Sequence, residues 1–183
     1  MIVLNQGRLK IYLKLKERLI NMIKILGSIL IILSGLLSGH LLFNYFKEKI
    51  LFLEEFRKFV RFVKNEIEYK KSYPEVILNN FTCDTKLNIY FTKCKSLVNN
   101  GENFPGAWEK TFYSCIYDEK KIIFKFGKEL GLHLFDEQIS LCKFTENELN
   151  ELLLNMNKEI DKQKKVFITL GACIGAIISI SLF

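Results

Sequence analysis

The sequence predicts an all-α protein in which a helical bundle is flanked by two transmembrane helices, and three observations carry that reading. Two apolar stretches without a charged residue, Ile25 to Phe46 and Val166 to Phe183, bracket the chain. Between them the apolar positions recur at spacings of three and four, the period of a helix face. The chain holds only two prolines, Pro74 and Pro105, and no alternating apolar and polar run of useful strand length.

Taken in order, the first 21 residues carry Arg8, Lys10, Lys14, Lys16 and Arg18 against one acid, Glu17. Met22-Ile23-Lys24-Ile25-Leu26-Gly27 reads as a natural beginning, a short positive tip followed at once by an apolar helix. Lys16-Glu17-Arg18, just upstream, can be encoded by a purine run that resembles a bacterial ribosome-binding sequence. Residues 1–21 are therefore expected to be a spurious N-terminal extension. Residues 22–46 then form the first transmembrane helix, since a hydrocarbon core of about 30 Å takes roughly 20 apolar residues. A cleaved signal peptide is the rival, with Lys24 as its charged region. The apolar run is long for that, and Gly39-His40-Leu41-Leu42-Phe43 offers no small-x-small cleavage pattern.

Residues 47–165 suit one compact domain by size. They contain 21 Lys/Arg against 19 Asp/Glu, a net of +2, so most of the formal +7 lies outside them. That balance excludes a nucleic-acid footprint, which needs basic residues clustered on a face of the domain. Leu53, Phe56, Val60, Val63 and Ile67 fall on one stripe of a helix that continues from the first span to about Lys71. Pro74 suits the first turn of a short helix through Glu75-Val76-Ile77-Leu78. Thr85 to Val98 carries Leu87, Tyr90, Phe91, Cys94, Leu97 and Val98 at helical spacing, and Asn99-Asn100-Gly101 ends it as a C-cap. A loop through Asn103-Phe104-Pro105 precedes a short helix over Ala107 to Tyr113, and Glu119 to Leu130 forms another that stops at Gly131. From about Asp136 no helix breaker appears until Gly171, so the last soluble helix is expected to run straight into the second span. That span, residues 166–183, sits near the lower length limit for crossing a bilayer.

Basic residues beside membrane spans prefer the cytoplasmic side. Lys47, Lys49, Arg57 and Lys58 follow the first span and Lys158, Lys162, Lys164 and Lys165 precede the second, which predicts a cytoplasmic central domain in a cell membrane. Five cysteines, Cys83, Cys94, Cys115, Cys142 and Cys173, show no C-x-x-C pair and no metal-ligand spacing, a pattern that suits a reducing compartment.

Each span carries a small-xxx-small pair, Gly35 with Gly39 and Gly171 with Gly175. Small residues four apart let helix backbones approach closely in lipid, so the spans are expected to pack on one another or on other chains, a homo-oligomer included. His40, inside the first span, has no acidic partner in either apolar helix and reads as a neutral, hydrogen-bonded side chain rather than a proton relay. His133 has no nearby ligand set. Trp108, amid Phe104, Phe112 and Tyr113, reads as core packing before ligand platform. Glu66, Glu68, Asp136 and Glu137 have no nucleophile or glycine-rich phosphate loop beside them, so charged helix faces account for them better than acid-base chemistry does. No catalytic set, cofactor motif or metal site is predicted.

The assembled motifs resemble the stage III sporulation protein AB family of endospore-forming bacteria. The resemblance runs from Met22 to Phe183 and rests on four features. These are the opening Met-Ile-Lys-Ile-Leu-Gly, Asn65-Glu66-Ile67-Glu68-Tyr69 followed by Pro74, Ala107-Trp108-Glu109-Lys110, and Phe126-Gly127-Lys128-Glu129-Leu130-Gly131 with Gln138 downstream. One departure is Leu134, where the family usually carries an acid; the nearest here is Asp136. The resemblance implies an antiparallel helical bundle like the cytoplasmic domain of type II secretion and type IV pilus platform proteins. It implies a membrane scaffold without enzymatic activity, in a channel complex between mother cell and forespore, docking the secretion-type ATPase stage III sporulation protein AA. Glu66, Tyr69, Trp108, Glu109, Gly127 and Gly131 are the residues it offers for partner docking or for structure. A receptor or adaptor for a soluble signalling protein, and a small membrane enzyme, are the competing readings.

Overall fold

The computed structural model describes residues 3–181, with side chains from residue 12 onward and, beyond Ile160, at only part of the positions. Six helices follow one another: α1 (Val3–Lys70), α2 (Pro74–Asn80), α3 (Leu87–Asn99), α4 (Phe104–Phe112), α5 (Lys120–Glu129) and α6 (Phe135–Ser181). The described residues contain no strand, and the chain is all-α. They pack as two compact units. One comprises the residues up to Tyr45 and from Ile160 onward, and the other is Phe46–Glu159.

The second unit is the helical bundle. Its axis is the later part of α1, where Phe52, Leu53, Phe56, Phe59, Val60, Val63 and Ile67 are all buried, a stripe at the 3.6-residue period. α3 runs alongside in the same direction, with Lys86 paired to Glu48 at its start and Phe91 against Phe59 further on. α4 turns back along α3, bringing Phe112 onto Tyr90 and Trp108 onto Phe91. α6 runs against α1, held by Arg57 Nη1 donating to Asn150 at 2.8 Å and by Arg61 and Lys64 on Glu146.

The breaks between helices have local causes. α1 ends where Lys71 takes a positive φ of 54°, and the extended Tyr73 before Pro74 starts α2 with proline in its first turn. α3 ends on Gly101, whose φ of +91° suits glycine. The expected loop at Asn103-Phe104-Pro105 is instead the start of α4. Asn103 Oδ1 accepts from Gly106 N–H at 2.8 Å and proline needs no N–H partner in a first turn, so the helix begins a turn earlier than the apolar pattern suggests.

In the first unit the early part of α1 is the one helix among the described residues long and apolar enough to cross a membrane. Ile29, Leu30, Leu33, Leu37 and Leu41 lie exposed along it. On α6 the corresponding apolar stretch is shorter, Thr169–Ile178. The two helices touch backbone to backbone: a Cβ on Gly35 would lie 2.5 Å from the carbonyl oxygen of Gly171. Gly39 is buried, and Gly175 lies outside the described residues.

Candidate functional site

The motif residues come together in three places within the bundle, and each meeting is a packing device. The first closes α1. Glu66 is buried, its carboxylate accepting from Lys70 Nζ at 2.7 Å and from Ser72 Oγ at 3.3 Å while its carbonyl accepts the Ser72 N–H at 3.3 Å. The chain is thus turned out of α1 and toward Pro74 by one side chain. Tyr69, three residues on, is 80 % exposed.

The second meeting joins α4 to α5. Trp108 is completely buried among Phe56, Phe59, Phe91, Phe104, Phe112 and Phe126, with ring centroids 4.5 to 6.4 Å away. Its indole Nε1–H donates to the Ile123 carbonyl at 2.9 Å. The five-membered part of the indole lies where a Cβ on Gly127 would go, so the Ala-Trp-Glu and Phe-Gly segments are the two halves of one contact. Glu109, the next residue on α4, is exposed and forms no ion pair among the described residues.

The third meeting is at the α5–α6 connection. Gly131 adopts φ +86°, and a Cβ there would lie 3.0 Å from the Pro74 ring. Its N–H donates to Gln138 Oε1 at 3.3 Å, and Gln138 Nε2 donates to the His133 carbonyl at 2.7 Å. Gly131 and Gln138 therefore form one joint with the distant Pro74, between α2, α5 and α6. Leu134 is 78 % exposed and Asp136 sits in the first turn of α6, where an acid complements the helix dipole.

Chemistry around these joints is muted. Burial pushes the thiols of Cys94 and Cys142 up to about 12 and raises those of Cys83 and Cys115, so they are protonated at neutral pH. Among the described residues no group of three or more His, Cys, Asp or Glu side chains could hold a metal ion. His133 Nδ1 lies 3.3 Å from Glu137 in a solvent-exposed pair. Burial pushes the Glu146 carboxyl upward, but hydrogen bonds from Arg61 and Lys64 outweigh it and hold the group below the usual carboxylate range.

One surface feature escaped sequence reasoning. A groove of about 450 Å³ runs between α4 and α5, floored by Phe112, Tyr113 and Phe124 and edged by lysines of α5. Its signal was present in Lys-Lys-Ile-Ile-Phe-Lys-Phe-Gly-Lys, four lysines in nine residues that contain no acid.

Comparison with protein families matches residues 24–183 to the family described as stage III sporulation protein AB. No curated protein and no solved structure matches the chain. With nearly nine-tenths of its length matched, the chain belongs to the stage III sporulation protein AB family, a structural sporulation protein family.

Proposed function

We propose that this protein is a structural platform of the channel complex between mother cell and forespore. In this reading its bundle is held on the cytoplasmic face of a mother-cell membrane and docks a secretion-type ATPase, stage III sporulation protein AA. The observation that carries the proposal is α1. Without an intervening loop, one helix supplies both a membrane-length apolar stretch and the central buried stripe of the bundle.

The basic residues on both sides of the bundle, Lys47 and Lys49 after the first apolar stretch and Lys162 and Lys165 before the second, favour the cytoplasmic side. The Gly35–Gly171 contact supports a second crossing by α6, because backbone-to-backbone approach of this kind holds helices together in lipid. Membrane lipid is then a constant partner of both spans. The test is co-purification of the full-length protein with the ATPase from sporulating cells, with and without nucleotide, together with protease protection of the bundle in sealed vesicles. Retention of the ATPase and cleavage only from the cytoplasmic face are expected. Capture of a soluble signalling protein in place of the ATPase would favour the adaptor reading instead.

A further inference from the structure

We propose that the groove between α4 and α5 is a docking site for an acidic amphipathic helix on a partner protein. The inference deepens the platform reading and rests on it, since it names the surface through which such a platform would engage its partner.

The groove has an apolar floor and a cationic edge. Phe124 lies half-buried along it, and Tyr113 is 78 % exposed at one side. Lys120, Phe124 and Lys128 follow one another at four-residue steps, and Lys121 and Lys125 form the adjacent row. The lysine stems extend the apolar wall while the ammonium groups stay in water.

What sets these lysines apart is that four of them line one groove with no ion pair among them. Several other cations of the bundle are matched, Lys49 with Glu119, Arg61 and Lys64 with Glu146, Lys70 with Glu66, Lys86 with Glu48 and Lys110 with Glu102, while Lys71, Lys93, Lys95 and Lys143 have no acidic partner among the described residues but line no common groove with them. Among the described residues, none of the four groove lysines forms an ion pair. Lys120 Nζ reaches only the Tyr113 carbonyl at 3.5 Å, and Lys125 lies 5.3 Å over the Phe144 ring. Glu129, at the far end, is the one acid lining the groove.

The arrangement also works against α5 itself. Lys120 and Lys121 occupy its first turn, where negative charge is favoured; the acids at that end are Asp118 and the N-cap Glu119, whose carboxylate is engaged by Lys49. Lys121 and Lys125 repel each other across one turn.

Shape and charge select the occupant. A concave apolar floor takes a ridge, as a helix supplies, whereas a bilayer surface offers a plane. α5 is ten residues, about 15 Å or nearly three turns, which suits the side of one short helix laid along it. Four uncompensated ammonium groups on the edge call for Glu and Asp flanking that helix's apolar stripe, and such complementarity acts chiefly on encounter rate and partner choice.

The probe is a fluorescein-labelled synthetic helix of about four turns, with Leu at i, i+3, i+4 and i+7 and Glu at the flanking positions. Its anisotropy is followed on the full-length protein in neutral detergent. Binding is expected to weaken about tenfold in the K121E/K128E variant, and in K121Q/K128Q by less, with an unchanged circular dichroism spectrum and thermal midpoint. A matching peptide with Lys in place of Glu should not bind. Equal binding of both peptides, no binding of the acidic one, or equal binding to wild type and K121E/K128E would overturn the proposal. So would a variant that lost adhesion to phosphatidylserine vesicles while keeping the peptide. The two readings separate in the ATPase co-purification. If wild type and K121E/K128E retain the ATPase equally, the platform stands and the groove falls. If neither retains it while the variant alone loses the peptide, the groove stands and the platform reading falls.

Discussion

Replacing Gly127 and Trp108 singly and together tests whether the bundle is built around their contact. In Gly127→Ala the new methyl group falls within the van der Waals envelope of the indole. The indole has nowhere to go, because six phenylalanine rings surround it and its N–H is tied to the Ile123 carbonyl at 2.9 Å. Overpacking of this kind costs about 1–3 kcal/mol and in a rigid site more, so roughly 2–3 kcal/mol is expected even after the gain in helix propensity. Trp108→Ala empties the site and should cost about 3–5 kcal/mol, enough to leave a domain of ordinary stability marginal or unfolded. In the double variant the added methyl points into the cavity that the indole vacated. Clash disappears, and only the propensity gain of about 1 kcal/mol remains, so Gly127→Ala should stabilise the Trp108→Ala background. The sign of the second substitution reverses, a coupling of about 3 kcal/mol. Urea unfolding of the full-length protein in neutral detergent, read by far-UV circular dichroism because Trp108 is the sole tryptophan, measures all four corners. Additivity within about 0.5 kcal/mol would refute the claim that these two residues share one volume.

Three further outcomes follow from the joints and charges of the bundle. Gly131→Ala should lower stability by about 1–2 kcal/mol through its left-handed backbone and by more through the Pro74 ring, whereas Gly101→Ala, at φ +91° but with open space around it, should incur the backbone cost alone; thermal unfolding of the two variants compares them. Because the folded Glu146 carboxyl is held below its ordinary value, its contribution is present above that value and is lost as pH falls through the lowered one; Glu146→Gln should therefore be less stable than wild type by about 1 kcal/mol at pH 7 and equal to it in acid, in a pH series of urea midpoints. Cys94 and Cys142, buried and with thiols near 12, should resist maleimide at pH 7.5 in the native protein and react fully once unfolded, as mass spectrometry of labelled peptides would show.

The long-range order of the helices was legible where periodicity spoke without interruption. The stripe from Leu53 to Ile67 and the breaker-free stretch from Asp136 to Gly171 each extend over several turns, so the later part of α1 and α6 follow from the sequence pattern. The start of α4 was less so, because Asn-Phe-Pro is equally good punctuation for a loop and for a capped helix, and the bond from Gly106 N–H to Asn103 Oδ1 decides for the helix. Contacts between helices lay outside the reach of spacing: nothing local places Gly127 against an indole nineteen positions earlier or Gly131 against Pro74. The lysine edge of α5 was hidden by bookkeeping over too wide a window. A domain net of +2 looks neutral, yet residues 120–128 hold four lysines and no acid, so the balancing acids lie elsewhere in the domain.

This distribution of buried and exposed residues bears on where a partner can act. Of the residues that the family resemblance offered, Trp108 and Gly127 are enclosed, and Gly131 is tied to Pro74 and Gln138. Glu66 would have to release Lys70 and Ser72 before it could meet an outside group. Substituting any of these four would change docking by loosening the scaffold, so loss of a partner in such variants would say little about contact. Tyr69 and Glu109 are exposed and the α4–α5 groove is open, which makes them the positions where a substitution can weaken association and leave folding intact. A platform of this design separates its tasks: motif residues fix the angles between helices, and the surface so positioned does the binding.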